Sequence, residues 1–454
     1  MVLDRNRIRR LIEEEELRFR DLHQTSARLA AAASEHLLGG VPMPWMTRWP
    51  GSFPITFDRA EGAGFVDVDG IRYVDFCLGD TGAMAGHALP QVADAVAAQA
   101  RRGITTMLPS EDAAVVAAEL AGRFGLPVWQ MAMTATDANR FALRLARSVT
   151  GRPKVLVFDW CYHGTLDESL ATLDDGGAVG SRPGSVGAPV DPSLTTEVVQ
   201  FNDLAALEAV LRRGEVAAVL AEPALTNIGI ILPDPGFHEA LRRLCDETST
   251  LLVIDETHTI CAGPGGATAA WGLRPDMVVI GKTIGGGVPA AAYGMTRDIA
   301  DRLAHLAGRH DADVSGIGGT LTGNALALAA VRATLSTTLR QSDFDRMIPL
   351  ATAWTDGVQQ VIDEMGLPWC VQQLGARAEY WFCTPPRNGR DAAAAVDAEL
   401  DEYLHLVAIN EGILMTPFHN MALVSPLHTM SDVDAHTTMF RSAVAKLLDR
   451  CLVA

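Results

Sequence analysis

The chain has 454 residues, with 37 basic and 55 acidic side chains, so its formal net charge is −18. An acidic chain of ordinary globular composition argues against a nucleic-acid partner, because nucleic-acid-binding proteins carry a basic face. No apolar run reaches the roughly 20 residues of a membrane helix and the N-terminus lacks the features of a secretory signal, so we expect a cytoplasmic protein without membrane contact. The seven cysteines are scattered and form no CxxC motif, and HExxH is absent, which indicates reduced thiols and no metal site.

The N-terminal part of the chain is predicted to contain a helix, a loop and a hairpin. Residues 7 to 31 carry favourable Glu14–Arg18 and Glu16–Arg20 pairs and one apolar stripe, which favours a single charged helix. Residues 39 to 54 are rich in Pro, Gly and Trp, as in an ordered loop. Residues 64 to 76 alternate around Asp69-Gly70, which is a signal for a β-hairpin.

From about residue 112, helical stretches alternate with short runs that are apolar throughout. Such runs are typical of strands buried on both faces of a parallel sheet. They lie at Gln130–Met133, Val155–Phe158, Ala217–Ala221, Leu251–Ile254 and Met277–Ile280. This rhythm predicts a doubly wound α/β domain with a central, mostly parallel sheet. We divide the chain into an N-terminal helix and loop segment (1–62), a large domain (63–325) and a smaller C-terminal α+β domain (326–454).

Polar groups follow each of these five predicted strands. In an open parallel sheet, ligands bind beyond the carboxyl ends of the strands, so we expect these groups to line one crevice. In chain order they are Thr134–Asn139, Tyr162-His163-Gly164, Glu222 with Asn227, Asp255-Glu256, and Lys282 ahead of Gly285-Gly286-Gly287.

Taken one at a time, these groups leave two interpretations open. The turn at Thr134 suits either a phosphate, bound by free N–H groups at a helix N-terminus, or an ordinary helix cap. The buried Asp255 needs a cation, either in a ligand or in a structural salt bridge. Lys282 is either a solvated surface lysine or an amine that condenses with a carbonyl. Nucleotide motifs fail, because Asp276 stands where a Walker A sequence needs glycine, and Asp67 stands where a dinucleotide motif that begins at Gly62 and Gly64 needs its third glycine.

Together these residues resemble fold-type I pyridoxal 5′-phosphate enzymes, and specifically class III aminotransferases of the glutamate-1-semialdehyde aminomutase and β-amino-acid aminotransferase branch. The most specific match is Asp255-Glu256, followed 27 residues after Asp255 by Lys282 in a Gly-Lys-Thr-Ile-Gly-Gly-Gly-Val-Pro segment. The resemblance covers most of the chain, and its other motifs are Gly39-Gly40, Arg144–Arg152, Tyr162-His163-Gly164, Glu222-Pro223 with Asn227, and Gly319–Asn324.

The resemblance implies a role for each of these positions. Lys282 would hold the cofactor as a Schiff base, or aldimine, and move protons, and Asp255 would pair with the protonated pyridine nitrogen. The other cofactor contacts would be the N–H groups of Ala135 and Thr136 at the phosphate, Tyr162 and Thr257 on the two ring faces, Asn227 at the ring hydroxyl, Glu222, and Thr320 reaching the phosphate from the neighbouring subunit of a homodimer.

Several positions depart from the usual family pattern. The phosphate motif usually reads Ser-Gly-Thr-Glu-Ala-Asn, whereas this chain has Thr134-Ala-Thr-Asp-Ala-Asn139, in which Ala135 restricts the backbone. Position 257 is Thr where Val is usual, and position 258 is His where Gln or Met is common. We expect His258 to lie behind the cofactor contacts, and His163 to be either a structural neighbour or a direct contact.

The resemblance implies an aminotransferase that moves an amino group from an amino acid, including β-amino acids, or an amine to an oxo acid or ketone. The same residues suit an alternative, a glutamate-1-semialdehyde-type 2,1-aminomutase, which needs no second substrate. A more distant alternative is a non-catalytic binder that retains the fold, since fold does not imply function.

The substrate residues are predicted from weaker signals. A planar guanidinium is the natural reader of a carboxylate, and Arg48 and Arg377 are the two candidates. The segment 412–429 contains no arginine, so a late gateway arginine is not expected. Trp45, Trp49 and Phe418 suit an aromatic-lined substrate pocket or, alternatively, ordinary packing.

Overall fold

The computed structural model describes residues 3–187, 190–304 and 313–449. The chain divides into two compact units, and both mix helices with strands. The central unit comprises Pro90–Phe344 and Pro386–Ala394. The terminal unit comprises Met1–Leu89, Asp345–Pro385 and Ala395–Ala454.

The α-helices among the described residues are, in chain order, α1 (Arg5–Leu22), α2 (Gln24–Ala33), α3 (Pro90–Arg102), α4 (Asp112–Phe124), α5 (Ala135–Thr150), α6 (Leu204–Leu211), α7 (Phe237–Thr248), α8 (Gly266–Ala270), α9 (Arg297–Arg302), α10 (Ala325–Thr337), α11 (Gln341–Met365), α12 (Gly389–Ala394), α13 (Ala398–Asn410) and α14 (Met430–Leu447). The strands of the same residues are β1 (Phe57–Glu61), β2 (Gly64–Asp67), β3 (Arg72–Asp75), β4 (Val128–Ala132), β5 (Lys154–Phe158), β6 (Ala171–Leu173), β7 (Val179–Ser181), β8 (Thr196–Val199), β9 (Val216–Ala221), β10 (Leu251–Asp255), β11 (Met277–Ile280), β12 (Ala291–Met295), β13 (Cys370–Leu374), β14 (Arg377–Trp381), β15 (Ile413–Leu414) and β16 (Met421–Leu423).

The central unit is built on a sheet with the strand order β4-β12-β11-β10-β9-β5-β8. The run from β11 to β8 is parallel, whereas β12 is antiparallel to both of its neighbours. Every residue of β9, β11 and β12 is buried, as expected for strands covered on both faces. The predicted α/β fold with a mostly parallel central sheet is therefore confirmed.

All five predicted strands exist, with bounds that shift by no more than two residues. Two strands of the sheet were not expected from the sequence. The strand β12 is rich in alanine and glycine, and β8 is only four residues long and begins Thr196-Glu197. Neither segment carries the run of branched apolar residues by which the other strands were recognised, and in both cases pairing with neighbouring strands supplies the order.

The terminal unit contains a sheet with the order β1-β2-β3-β15 and another with the order β13-β14-β16. The predicted hairpin around Asp69-Gly70 is confirmed, because β2 and β3 pair as antiparallel strands. Its strand β3 also pairs in parallel with β15, where Val74 faces Ile413. The main core of this unit gathers apolar side chains of α1, α11, α13 and α14 around the strands, with Trp354, Tyr403 and Phe440 among the fully buried ones.

The prediction of a single helix for residues 7 to 31 is wrong, because the helical segment is interrupted at His23, between α1 and α2. The ring of His23 is buried and bonds to the carbonyl of Phe19 through Nδ1 and to the hydroxyl of Tyr73 through Nε2. The carboxylate of Asp69, in the hairpin turn, accepts hydrogen bonds from the N–H groups of Thr25 and Ser26. These long-range bonds satisfy the start of α2 and stabilise the break, which no helix propensity indicates.

The two units do not follow the segment bounds expected from the sequence. Residues 63–89 group with the terminal unit, since their hairpin pairs with β15. Residues 326–344 group with the central unit, since α10 packs on α3 and α4.

Three sequence expectations concern chemistry rather than fold. None of the six cysteines within the described residues forms a disulfide, and Cys451 lies outside them. No helix of the described part of the chain is both long and apolar enough to cross a membrane. In that same part, no three His, Cys, Asp or Glu side chains are grouped so that they would hold a metal ion.

Candidate active site

The side chains of Asp255 and Lys282 follow neighbouring strands at the same edge of the central sheet. Asp255 is the last residue of β10 and pairs with Val279 of β11. Lys282 follows the end of β11 by two residues. Because β10 and β11 are parallel, their carboxyl ends meet at one edge, where open α/β sheets bind their ligands.

The carboxylate of Asp255 is buried and surrounded by hydrogen-bond donors. Its Oδ2 accepts from Nδ2 of Asn139 at 2.8 Å and lies 3.0 Å from Nδ1 of His163, while Oδ1 accepts from the backbone N–H of Thr257 at 3.0 Å. Asn139 also donates to the carbonyl oxygen of His163, at 3.1 Å, so that one amide holds both partners. The cation that a buried Asp255 requires is therefore supplied, within the protein, by His163.

The electrostatics of this pair are those of a buried ion pair. Burial alone would raise the pKa of Asp255, but the hydrogen bond and charge of His163, with Thr257 and Asn139, lower it to about 2. Burial would likewise lower the pKa of His163, yet the neighbouring Cys161 and Asp255 raise it well above its ordinary value. Asp255 is thus a carboxylate throughout the neutral pH range, and the protonated form of His163 is favoured beside it.

The backbone at Lys282 is held in an unusual conformation. Its φ of +50° lies in the left-handed region, which a lysine occupies only at a cost of about 1–3 kcal/mol. Directly before it, a Cβ on Gly281 would lie 2.9 Å from Cβ of Ala135, so only glycine fits against the start of α5. The turn that carries Lys282 therefore packs closely against the N-terminus of α5.

The N-terminus of α5 has the features expected of an anion site. The side chain of Thr134 caps the helix by accepting from the N–H of Asp137, at 3.2 Å. The N–H groups of Ala135 and Thr136 belong to the first turn, where a helix offers them no acceptor, and the positive end of the helix dipole lies there. The cap and the phosphate-site interpretations of this turn are compatible, since the cap uses the side chain and an anion would use the N–H groups.

A second turn is fastened to this helix end through Thr136. Its hydroxyl accepts from the N–H of Thr165 at 3.1 Å, and Gly164, with φ of +90°, lies so close that a Cβ there would be 2.1 Å from Oγ1 of Thr136. The Tyr162-His163-Gly164 motif therefore has its glycine for a steric reason. The contact brings Tyr162 and His163 to the same edge of the sheet as α5.

Glu222, Thr226, His258 and Lys282 are joined by consecutive hydrogen bonds. The Thr226 hydroxyl bonds to Oε2 of Glu222 and lies 2.8 Å from Nδ1 of His258. The other ring nitrogen of His258, Nε2, lies 2.5 Å from Nζ of Lys282. Burial raises the pKa of Glu222 to about 7, although the charge of His163 and the bond from Thr226 lower it. His258 is thus the direct neighbour of the Lys282 amine.

The remaining predicted cofactor contacts occupy positions in the central unit that differ in exposure. Thr257 is buried next to Asp255, and its hydroxyl has no hydrogen-bond partner among the described residues. Asn227 donates from Nδ2 to the carbonyl oxygen of Trp160, and Tyr162 is half-buried. Thr320 is exposed in the turn before α10. The contacts of these four residues with a cofactor stay predictions.

The three predicted substrate residues lie in the terminal unit. Arg48 is exposed at the end of a short 3-10 turn, Pro44–Arg48. Arg377, in β14, is fully buried; its Nη2 donates to Thr81 at 2.5 Å, while its Nε has no hydrogen-bond partner among the described residues. Trp45 is 40% exposed and makes an edge-to-face contact with Phe418 at 5.6 Å. Their roles towards substrate stay predictions.

Trp49 does not group with Trp45 and Phe418 as the sequence led us to expect. Trp49 packs against the small core cluster that contains Phe19, Tyr73 and Leu406. One of the three aromatic side chains is therefore used for packing, which was the alternative interpretation of that segment.

Sequence reasoning gave no role of their own to two residues of the site, Asn139 and Thr226. Asn139 interrupts the buried apolar face of α5, between Ala138 and Phe141. A fully buried amide on such a face requires hydrogen-bond partners, and that was a usable signal. Thr226 gave no such signal, because a threonine in a loop is ordinary.

The fold and this constellation define a fold-type I enzyme of the kind that uses pyridoxal 5′-phosphate. The residues fit that group: a lysine amine for its aldehyde, a carboxylate that is ionised at neutral pH for its ring nitrogen, and a helix N-terminus for its phosphate. Three buried atoms at the same place have no hydrogen-bond partner among the described residues and are available for further polar contacts: Oγ1 of Thr257, Oε1 of Glu222 and Nε2 of His163.

Comparison with known proteins identifies the family. Residues 45–442 match the family model for aminotransferase class-III, so the chain belongs to the class III aminotransferases. It is 35% identical over 431 residues to a glutamate-1-semialdehyde 2,1-aminomutase of Chloroflexus aggregans. The matched region covers 92% of this chain and 97% of that protein.

Solved structures place the chain in the same branch. A glutamate-1-semialdehyde-aminomutase from Pseudomonas aeruginosa PAO1 matches with a TM-score of 0.96 and 48% identity, covering 98% of this chain and 100% of that one; a lysine-to-alanine variant of it was solved in complex with PMP. A β-phenylalanine aminotransferase from Variovorax paradoxus matches with a TM-score of 0.86 and 28% identity, covering 96% of this chain and 97% of that one. The resemblance found in the sequence is thereby confirmed.

Proposed function

We propose that this protein is a pyridoxal 5′-phosphate-dependent 2,1-aminomutase of the glutamate-1-semialdehyde type, which moves an amino group between adjacent carbons of one substrate. The observation that carries the proposal is the meeting of Asp255 and Lys282 at adjacent strand ends, in a chain similar to such aminomutases over almost its whole length. These similarities favour the aminomutase over the two-substrate aminotransferase expected from the sequence.

The cofactor, when bound, supplies an electrophilic carbon and a ring that accepts electrons. The chain holds it by three features of the central unit. The N–H groups of Ala135 and Thr136 would bind the phosphate, and the Lys282 amine would attach the aldehyde carbon. The Asp255 carboxylate, with its pKa lowered to about 2, would keep a proton on the ring nitrogen and so preserve the ring's ability to accept electrons.

Lys282 is also the group that moves protons during the reaction. With a substrate amine in its place on the cofactor, Nζ would remove a proton from the substrate carbon that bears nitrogen and return it elsewhere. The short distance to His258 keeps this amine in a hydrogen bond rather than loose in solvent. Tyr162, Asn227, Thr257 and Glu222 would complete the contacts with the cofactor.

The substrate and assembly parts of the proposal rest on the sequence resemblance. Arg48 and Arg377 are the candidate readers of a substrate carboxylate, and Trp45 would line the substrate site. The buried Nε of Arg377 supports its candidacy, because an unpaired guanidinium nitrogen is stabilised by an anion. A homodimer, in which Thr320 completes the neighbouring phosphate site, and a cytoplasmic location are also proposed.

The second candidate is transamination between an amino donor and an oxo acceptor. The observation that favours it is the similarity to the β-phenylalanine aminotransferase, at 28% identity over almost the whole chain. A non-catalytic binder is disfavoured, because a buried ionised Asp255 and a left-handed Lys282 are costly features that a mere binder has no need to retain.

The role of Lys282 is tested by chemical trapping. Purified protein given pyridoxal 5′-phosphate should be yellow, and borohydride should fix the cofactor to the peptide that contains Lys282, as read by mass spectrometry. Lys282→Ala should abolish the fixation and lower turnover by at least about 100-fold. The matched control is Lys154→Ala, which removes a partly exposed lysine paired with Glu197 and should leave both unchanged. A colourless protein, or fixation elsewhere, would overturn the proposal.

The choice between the two reactions is tested by omission of a second substrate. An aminomutase should convert glutamate-1-semialdehyde with no added amino donor or acceptor. If conversion of an amino donor instead requires an oxo acid in every case tested, and the semialdehyde is left unchanged, the protein is an aminotransferase.

A further inference from the structure

The hydrogen-bonded series from Glu222 through Thr226 and His258 to Lys282 is continuous. Thr226 makes both of its bonds through its one hydroxyl, which can donate and accept at once, and His258 uses a different ring nitrogen for each of its bonds. Glu222 lies directly after β9, Asp255 ends β10 and Lys282 follows β11, so three adjacent strand ends deliver these groups. Such a series links a buried acid to the amine that does the chemistry.

The series has two consistent polarities, which differ by the transfer of one proton. With Glu222 ionised, the Thr226 hydroxyl donates to Glu222, Nδ1–H of His258 donates to Thr226, and the Lys282 ammonium donates to Nε2 of His258. With Glu222 protonated, its O–H donates to Thr226, Thr226 donates to Nδ1, and Nε2–H donates to a neutral Lys282 amine. Both polarities are possible because the hydroxyl of Thr226 and the imidazole of His258 can each donate and accept a hydrogen bond.

We propose that Glu222, Thr226 and His258 form a proton relay that delivers a proton to Nζ of Lys282. In one passage, Oε2 of Glu222 loses its proton to Oγ1 of Thr226, Thr226 passes its own proton to Nδ1 of His258, and Nε2 of His258 gives its proton to Nζ. Glu222 ends as a carboxylate and Lys282 as an ammonium, so protons and charge balance. The proposal rests on the proposed attachment of the cofactor to Lys282, and His258 and Thr226 act through that lysine.

The surroundings of Glu222 suit a proton store. The side chain is buried, and its second oxygen, Oε1, has no hydrogen-bond partner among the described residues. Of these residues, only Thr226 forms a side-chain hydrogen bond with the carboxyl group. The charged groups that act on it are His163, which favours ionisation, and Asp255, which opposes it. The resulting pKa of about 7 lets Glu222 gain and lose a proton at neutral pH.

The relay is tested with hydroxylamine, which displaces Lys282 from the loaded protein without any natural substrate. The nitrogen of the reagent bonds to the cofactor carbon, the bond to Nζ breaks, and the departing Nζ must gain a proton. Loss of the visible absorption gives the rate. Thr226→Val removes the hydroxyl at nearly constant volume and should slow the release about tenfold or more at pH 6. Thr226→Ser restores a hydroxyl and should release at close to the wild-type rate.

The pH dependence separates a relay from a structural role. The ratio of the wild-type rate to the Thr226→Val rate should fall towards one as the pH rises through about 7, because Glu222 then has no proton to give. The release rate of the Glu222→Gln protein should lack the pH dependence that Glu222 gives to the wild type. The release rate of His258→Gln should resemble that of Thr226→Val. Thr196→Val, which removes a buried hydroxyl in β8, is the control and should change nothing.

Two outcomes would contradict the proposals, and they can be told apart. If wild-type, Thr226→Val and Thr226→Ser proteins all release the cofactor at one rate and with one pH profile, the relay is wrong while the attachment to Lys282 stands. If the wild-type protein shows no visible band and no borohydride fixation at Lys282, the proposed function itself fails.

Discussion

Two buried carboxylates at neighbouring strand ends, Asp255 and Glu222, have pKa values shifted in opposite directions. Asp255 receives hydrogen bonds from Asn139 and Thr257 and faces the cation of His163, so its pKa falls to about 2 despite burial. Burial dominates at Glu222, where, among the described residues, only Thr226 donates to the carboxyl, and the pKa rises to about 7. The difference between a fixed charge and a titrating acid is therefore set by the donors and the charges that each side chain meets.

At the residue scale, we predict that Asp255→Asn destabilises the cofactor-free protein by about 3 kcal/mol at pH 7, because it leaves His163 buried without its anion. Since the pKa of Asp255 lies below its ordinary value of 3.8, the stabilisation is present above that pH and is lost as the pH falls towards about 2. Urea unfolding of the two proteins at several pH values measures the difference.

The control for this prediction is Asp246→Asn. Asp246 pairs with Arg242 on α7 but its side chain is 62% exposed, so its removal should cost no more than about 0.5 kcal/mol. Equal losses from the two substitutions would show that Asp255 has no special electrostatic role.

At the scale of elements, the site depends on two turns that contact the first turn of α5. One turn carries Gly281 and Lys282, and the other carries Tyr162, His163 and Gly164. Each approaches α5 through a glycine where a Cβ would meet a side chain of the helix, at Ala135 or Thr136. The family variation at position 135, alanine for glycine, is therefore accommodated by the glycine at 281 that packs against it.

We predict that Gly164→Ala destabilises the protein by about 3 kcal/mol or more and weakens cofactor binding. Its Cβ would lie 2.1 Å from Oγ1 and 2.7 Å from Cα of Thr136, so the turn or the helix must move. Gly151→Ala is the matched control, because that glycine also has a positive φ but nothing within 4 Å of a new Cβ. It should cost only about 1–2 kcal/mol for the left-handed backbone.

Thermal unfolding and titration with pyridoxal 5′-phosphate measure both variants. If the two glycine substitutions cost the same, backbone conformation alone explains Gly164, and its contact with Thr136 is unimportant.

At the scale of the whole molecule, stability in acid depends on the terminal unit as well as on the site. His436, on α14, is fully buried between Phe76 and Trp354, and its Nδ1 has no hydrogen-bond partner among the described residues. Burial lowers its pKa from 6.5 to about 3. Below pH 6.5 the unfolded chain therefore takes up a proton that the folded chain refuses, and stability falls as the pH drops towards 3.

We predict that His436→Leu makes the protein less sensitive to acid. Relative to wild type, its free energy of unfolding should rise by about 3 kcal/mol between pH 7.5 and pH 4, because leucine has no proton to gain in the unfolded chain. Urea unfolding at the two pH values is the measurement. His36→Leu, at an exposed position, should show no such trend. A parallel response of the two variants would contradict the prediction.

Local pattern was sufficient for the sheet and for the main site residues. The strands β5, β9, β10 and β11 were recognised because their residues are apolar throughout, and a polar residue after such a run lies at the binding edge whatever its partners are. Asp255 and Lys282 were found in this way. The strand β12 was missed because its order comes from its neighbours and not from its own residues.

The sequence by itself determined the α/β fold, through periodicity, and the family, through the resemblance that its short motifs carry. That resemblance also singled out the lysine and the carboxylate that we propose to hold the cofactor. Only the tertiary structure decided which groups these residues face. Asn139 and Asp255 are 116 residues apart, and His258 and Lys282 are 24 apart, yet each pair is in hydrogen-bond contact. Contacts over such separations depend on strand order and on how turns pack against α5, which no local pattern encodes, and they determine the pKa of each acid in the site.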